Sequence, residues 1–382
     1  MSEIQRFDDI RPFYDHEAHG VLQRLIKEPL FMKLVANLWP GMSLENVLSK
    51  AEKVNSAMGF QVEFMHPAIR TIVERSADGL TYNGFEKLDK DQSYLFIANH
   101  RDILLDSAIL QILLVENGFN TSEITFGDNL MEKGFITDFG KLNRMFTVLR
   151  EGTGRELYDI SKKLSAYIRH TITDKKTSVW IAQRNGRAKD GNDQTQTGLL
   201  KMLNMSGSGT FTEKFSQLKI VPLTISYEYE PCDVLKIQEL YLSSLLTKYI
   251  KSPGEDLNSI ITGIVQQKGR IHLSVGTPII NELKELEKID NDNDKIKQLT
   301  TLVDQQIYQD YKLWNVNYIA SDISENSLQY ANKYTPSEKQ NFIDYINNKI
   351  SKMNGEQDVL FNLFIKMYAN PVKNKVLQTI QA

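Results

Sequence analysis

Between Leu80 and Ile280, short apolar runs alternate with longer stretches of helical period, and this alternation narrows the folds open to the chain more than any other feature. The runs are Ser93 to Ala98, Glu123 to Phe126, Phe146 to Leu149, Ser178 to Ala182, Lys219 to Ser226 and Arg270 to Val275. Runs of this length and composition read as strands, and strands interleaved with helices argue for a sheet covered by helices. The expected fold class is α/β, a mixed, largely parallel sheet flanked by helices, with helical N- and C-terminal additions. Helical periodicity dominates up to about Asp78, and Gly79 begins the change to β-rich runs. Beyond Asn281 the chain is helical again, with a charged stretch from Glu282 to Thr301 broken at Asp290 to Asp294. Three regions are expected: 1–78 helical, 79–280 α/β and 281–382 helical. A chain of 382 residues, 41% hydrophobic, can bury one large core with helical additions or two modest ones.

The first of these strands runs into Asn99-His100-Arg101-Asp102-Ile103-Leu104-Leu105-Asp106, and Ile103 to Val115 has helical spacing. His100 therefore falls on a strand-to-helix turn with two carboxylates close by. A histidine whose pKa lies near neutrality, oriented by a carboxylate, suits removal of a proton from a hydroxyl as that hydroxyl attacks an acyl carbon. The same residues also suit a plainer role, with the histidine satisfied in a core wall and Asp106 answering a helix dipole. Cations add a second indication. Arg144, Arg150, Arg155, Arg184, Arg187 and Lys189 lie at or just after strand ends, which in such a sheet converge on the edge that carries His100. Arginine forks bind phosphate oxygens in pairs.

Several function classes are disfavoured. A net charge of −3 with no basic tail gives no field for nucleic acid. The single cysteine, Cys232, cannot form an internal disulfide or complete a zinc site, which fits a reducing compartment. The first residues are too polar for a signal peptide, and no stretch approaches the roughly twenty apolar residues of a membrane span. A cytoplasmic protein is expected, with any contact to the inner face of the cell membrane peripheral. Leu30, Phe31, Met32, Leu34, Val35, Leu38 and Trp39 suit either an interfacial helix or the core of an N-terminal helical subdomain.

Four ordered blocks resemble those of the glycerolipid acyltransferase superfamily. The first is Asn99, His100, Arg101 and Asp106; the second is Phe146 to Arg150 followed by Glu156-Leu157-Tyr158. The third is Val179 to Gly191, and the fourth is Ile220 to Glu228 with its embedded Pro222. Gly269 to Ile279 is similar to the last strand of the same domain. Together they are far more specific than any one block. The resemblance implies acyl transfer from a thioester donor, acyl-CoA or acyl carrier protein, to a hydroxyl of glycerol-3-phosphate, with lysophosphatidic acid as the alternative acceptor. His100 is then the general base, Asp106 its orienting carboxylate, and no metal or redox cofactor is needed. Substrate contacts fall to Asn99, Arg101, Arg150, Arg184, Gly186, Arg187 and Lys189, with Arg150 and Arg187 on the phosphate.

Two departures touch this site. The family usually has four residues between histidine and aspartate, whereas His100 and Asp106 enclose five. One extra residue on a continuous helix rotates a side chain by about 100°. Either the turn bulges before the helix begins, or Asp102 orients His100. In the third block, Gln183 and Arg184 stand where the family usually carries a glutamate, so the acceptor differs or another carboxylate compensates. A thioesterase and a non-catalytic lipid-binding homologue are the rivals.

Overall fold

The computed structural model describes residues 6–38, 43–130, 134–149, 152–246 and 249–381. Its centre is a seven-stranded sheet of β1 (Gly79–Asn83), β2 (Leu95–Ala98), β3 (Glu123–Gly127), β4 (Met145–Val148), β5 (Val179–Ala182), β6 (Ile220–Tyr227) and β7 (Arg270–Val275). The spatial order is β1-β7-β6-β2-β5-β3-β4. All neighbours are parallel except β6 and β7. The expected α/β class is therefore what the chain adopts. Strands β2 to β6 run one way and β1 and β7 the other, so the carboxyl ends of β2, β3, β4 and β5 share one edge.

Alternate residues of each strand feed two cores, as the period of two requires. Phe96, Ala98, Ile124 and Trp180 face the helices His66–Ser76 and Leu105–Glu116. Leu95, Ile97, Phe146, Val179 and Ile181 face the helices Gly154–Thr173, Thr197–Leu203 and Asp292–Asp310. Burial on both faces explains why these strands read as unbroken apolar runs. Strand β1 was not among the expected runs for the opposite reason: it lies on the sheet edge and four of its five residues are exposed.

Both terminal regions pack on this frame. At the N-terminus, Phe31 and Val35 of the Pro29–Leu38 helix are buried with Leu22, Phe60 and Phe64, while Leu30 stays exposed; Trp39 lies outside the described residues. That helix turns its apolar face mainly into the core. Beyond residue 281, Leu299, Val303 and Ile307 close one face of the sheet. The helices Asn315–Ser324, Pro336–Ile350 and Gln357–Gln381 form a further core with Ile237 and Tyr241. Among the described residues, no helix is long and apolar enough to cross a membrane.

Candidate active site

Strand β2 ends at Ala98 and the next helix begins at Leu105, so the extra residue is taken up in the turn and Asp106 enters the helix's first turn. His100 Nδ1 lies 2.9 Å from Asp106 Oδ2. The same oxygen accepts the backbone N–H of Arg101 at 2.6 Å and of Asp102 at 2.9 Å. The other oxygen, Oδ1, accepts the Tyr227 hydroxyl at 2.9 Å. A buried carboxylate is costly unless its lone pairs meet donors. Asp106 is 1% exposed and meets four. With Nδ1 turned to Asp106, Nε2 is the nitrogen left for the cavity that the ring lines. Trp180 meets the ring edge-on, with centroids 5.8 Å apart.

Asp102 has a different task. Its Oδ1 accepts the amides of Leu104 and Leu105 at 2.9 and 2.8 Å, capping the helix. Those two amides are thereby committed and do not face a reacting oxyanion. Its Oδ2 is buried without a hydrogen-bond partner, pressed against Gly263, where a Cβ would stand 2.2 Å away. Burial, and then the nearby Asp106 charge, push the Asp102 carboxyl above its usual range. Burial also pushes the Cys232 thiol up to about 11, which keeps it protonated at neutral pH.

A cavity of about 380 Å³ opens at the carboxyl edge of β2 to β5. His100, Arg184, Gly186, Arg187 and Lys189 line it, together with the apolar Val148, Leu157, Leu164, Leu199 and Met202. Its wall is therefore mixed, with cationic and apolar side chains both represented. Arg187 is 8% exposed and its Nη1 has no partner, while Lys189 is paired with Glu239. Gly186 holds φ +72°, a left-handed conformation that glycine adopts without strain. The carboxylate on the wall is Asp256, joined to Lys251 and Asn129.

Other expected contacts lie elsewhere. Asn99 is fully buried and bonds both backbone groups of Ile225 and the Asp193 carboxylate. Arg101 is fully buried too, forked onto Asp193 and Glu230 and stacked over Tyr311. Neither reaches the cavity, because each satisfies buried groups that the fold brings to the turn from distant segments. Arg144 precedes β4, at the opposite edge, and donates to Thr121. Arg155 is exposed at the start of the Gly154–Thr173 helix, and Arg150 lies outside the described residues. Gln183, where a glutamate was expected, turns inward to accept from Thr195. Tyr227, Asp256 and Trp180 were not among the expected site residues. The available signal for Tyr227 was a polar group closing a strand whose other residues read as buried.

No family model and no curated protein matches this chain. Among solved structures it is similar to the 1-acyl-sn-glycerophosphate (LPA) acyltransferase PlsC from Thermotoga maritima, at 11% identity and a TM-score of 0.37, over 77% of this chain and 91% of that one. A likeness of that size carries no chemistry, which the side chains have to supply.

Proposed function

We propose that this chain is an acyltransferase that moves a fatty acyl group from a thioester donor to a hydroxyl of a phosphorylated glycerol acceptor, glycerol-3-phosphate first. The observation that carries the reading is the His100–Asp106 pair on the wall of a cavity lined by both cationic and apolar side chains. His100 Nε2 takes the acceptor's hydroxyl proton, the oxygen attacks the thioester carbonyl, and the tetrahedral intermediate expels the thiolate, which recovers a proton. Arg187 and Arg184 supply charge for the acceptor's phosphate, and the apolar wall receives the acyl chain. Asp256 is the cavity carboxylate available to hold a second acceptor hydroxyl. Lysophosphatidic acid is the second candidate acceptor, favoured by the extent of that apolar wall.

The test is a panel of acceptors with one long-chain thioester, offered as acyl-CoA and as acyl carrier protein, read by mass spectrometry. Product should appear with phosphorylated acceptors. In folded His100→Ala it should fall by about 10² to 10⁴. Arg187→Ala should raise the acceptor's KM roughly tenfold to a hundredfold, the loss of a charged hydrogen bond. Free fatty acid with every acceptor would instead establish a thioesterase. Wild-type turnover in His100→Ala would end the reading.

Peripheral contact with a membrane, on its cytoplasmic face, belongs to the same proposal. The Glu255–Val265 helix borders the cavity through Asp256 and leaves Leu257, Ile261 and Val265 exposed at 53%, 52% and 67%, four residues apart. That is one helical face. Ile261→Glu should abolish co-sedimentation with phospholipid vesicles while leaving turnover on a soluble donor intact; undiminished binding would locate the contact elsewhere.

A further inference from the structure

Tyr227 closes β6 fully buried, and its hydroxyl donates to the one Asp106 oxygen that His100 and the turn amides do not engage. We propose that Tyr227 is a positioning residue of the reaction, fixing and tuning the carboxylate that orients His100. This rests on the reading of His100 as general base.

Three donors gather on Asp106 Oδ2, and two of them are backbone amides of the same turn, so that side of the carboxylate is set by local structure. The other side is set across the sheet. Tyr227 lies 121 residues away in sequence, and among the described residues it is the donor to Oδ1. Without that hydroxyl, Oδ1 is a buried lone pair with nothing to meet, and the carboxylate is held on one side alone. Its basicity also rises, because a hydrogen bond to the charged form has been lost. A more basic carboxylate stabilises the imidazolium, so removing the hydroxyl favours the protonated ring over the free base. The hydroxyl thus tunes the pair as well as holding it in place.

Other charged groups around the pair are fixed. Asp102 lies on the same turn, Glu230 beyond β6, and Tyr311 after the Asp292–Asp310 helix. Arg101 and Lys236 both engage Glu230. On the cavity side stand Arg184, Arg187 and Lys189. The Tyr227→Phe change leaves all of these in position and removes one oxygen.

Two readouts test the proposal on the full chain. One is the pH profile of kcat; the other is the titration of His100 by NMR, which needs no substrate. Tyr227→Phe should lower kcat by about tenfold, the loss of one hydrogen bond to a charged group, with little change in KM for either substrate. The acidic limb of the profile and the His100 titration should both move to higher pH. Incorporating 3,5-difluorotyrosine at position 227 strengthens the donor and should move both to lower pH, which keeps the proposal open to refutation if the phenylalanine variant does not fold. An unmoved His100 titration in either folded variant overturns it. Absence of acyl transfer in the wild type would end the reading of function, while the NMR titration would still decide the coupling of Tyr227 to His100.

Discussion

His100 has two carboxylates within six positions in sequence and is held by one of them. The turn separates their tasks: Asp106 meets the ring, and Asp102 spends one oxygen on two helix amides and buries the other unpaired. The two should therefore respond differently to the same change. Asp106→Asn puts an amide where three N–H groups converge and should cut kcat strongly. Asp102→Asn keeps the capping oxygen and removes a charge that burial disfavours, so turnover and stability should stay near wild type. Asp102→Ala, which loses the cap, should cost about 1 kcal/mol. Steady-state rates and urea unfolding of the three variants check this; greater damage to turnover from Asp102→Asn than from Asp106→Asn would reverse the assignment.

Among the elements, the loop after β5 depends most on a partner far along the chain. It carries Arg184, Gly186, Arg187 and Lys189 into the cavity and is gripped on its other side by the Gln357–Gln381 helix. Asn370 Nδ2 donates to Asp190 O at 2.7 Å, and Arg101 Nη2 donates to Gly191 O at 3.2 Å. Gly191 holds φ +75°, and a Cβ there would stand 1.9 Å from the carbonyl oxygen of Met367. Backbone meets backbone at that point, so neither side can yield by turning a rotamer. Gly191→Ala combines left-handed strain of about 1 to 3 kcal/mol with this clash. It should lower the unfolding free energy by at least that much and weaken acceptor binding in whatever fraction stays folded. Unchanged unfolding and acceptor KM would show that the helix does not hold the loop.

Across the whole molecule, buried charge makes stability depend on pH. Asp304, on the helix that closes one sheet face, accepts the Thr195 amide at 2.8 Å, yet burial pushes its carboxyl from 3.8 up to about 6. Between those values the folded chain binds more protons than the unfolded one. Its contribution to stability is present below pH 3.8 and is lost as pH rises through about 6. Asp304→Asn has no such loss. The stability of the variant relative to wild type should then rise between pH 4 and pH 7, by up to about 3 kcal/mol for a shift of this size. Urea titrations at both pH values measure it, and an equal difference at each would show that Asp304 does not titrate as its burial requires.

The amino-acid sequence alone determined the strands that are buried on both faces, the strand-to-helix turn that presents His100, and the Gly-containing loop that brings Arg184 and Arg187 to the same edge. Each of these follows from periodicity or from neighbours a few residues apart, which a linear reading captures. Edge strand β1 escaped because exposure leaves no apolar run, and the reversed direction of β7 has no local signature. Tertiary structure alone decided how the polar groups are partnered. Asn99 and Arg101 sit beside His100 in the chain, yet they turn inward because Asp193 and Glu230 arrive from more than ninety residues away and need buried donors. Tyr227 reaches Asp106 across two neighbouring strands for the same reason. A buried charge takes whatever complementary partner the fold brings to it, and that partner is defined only once the sheet has assembled.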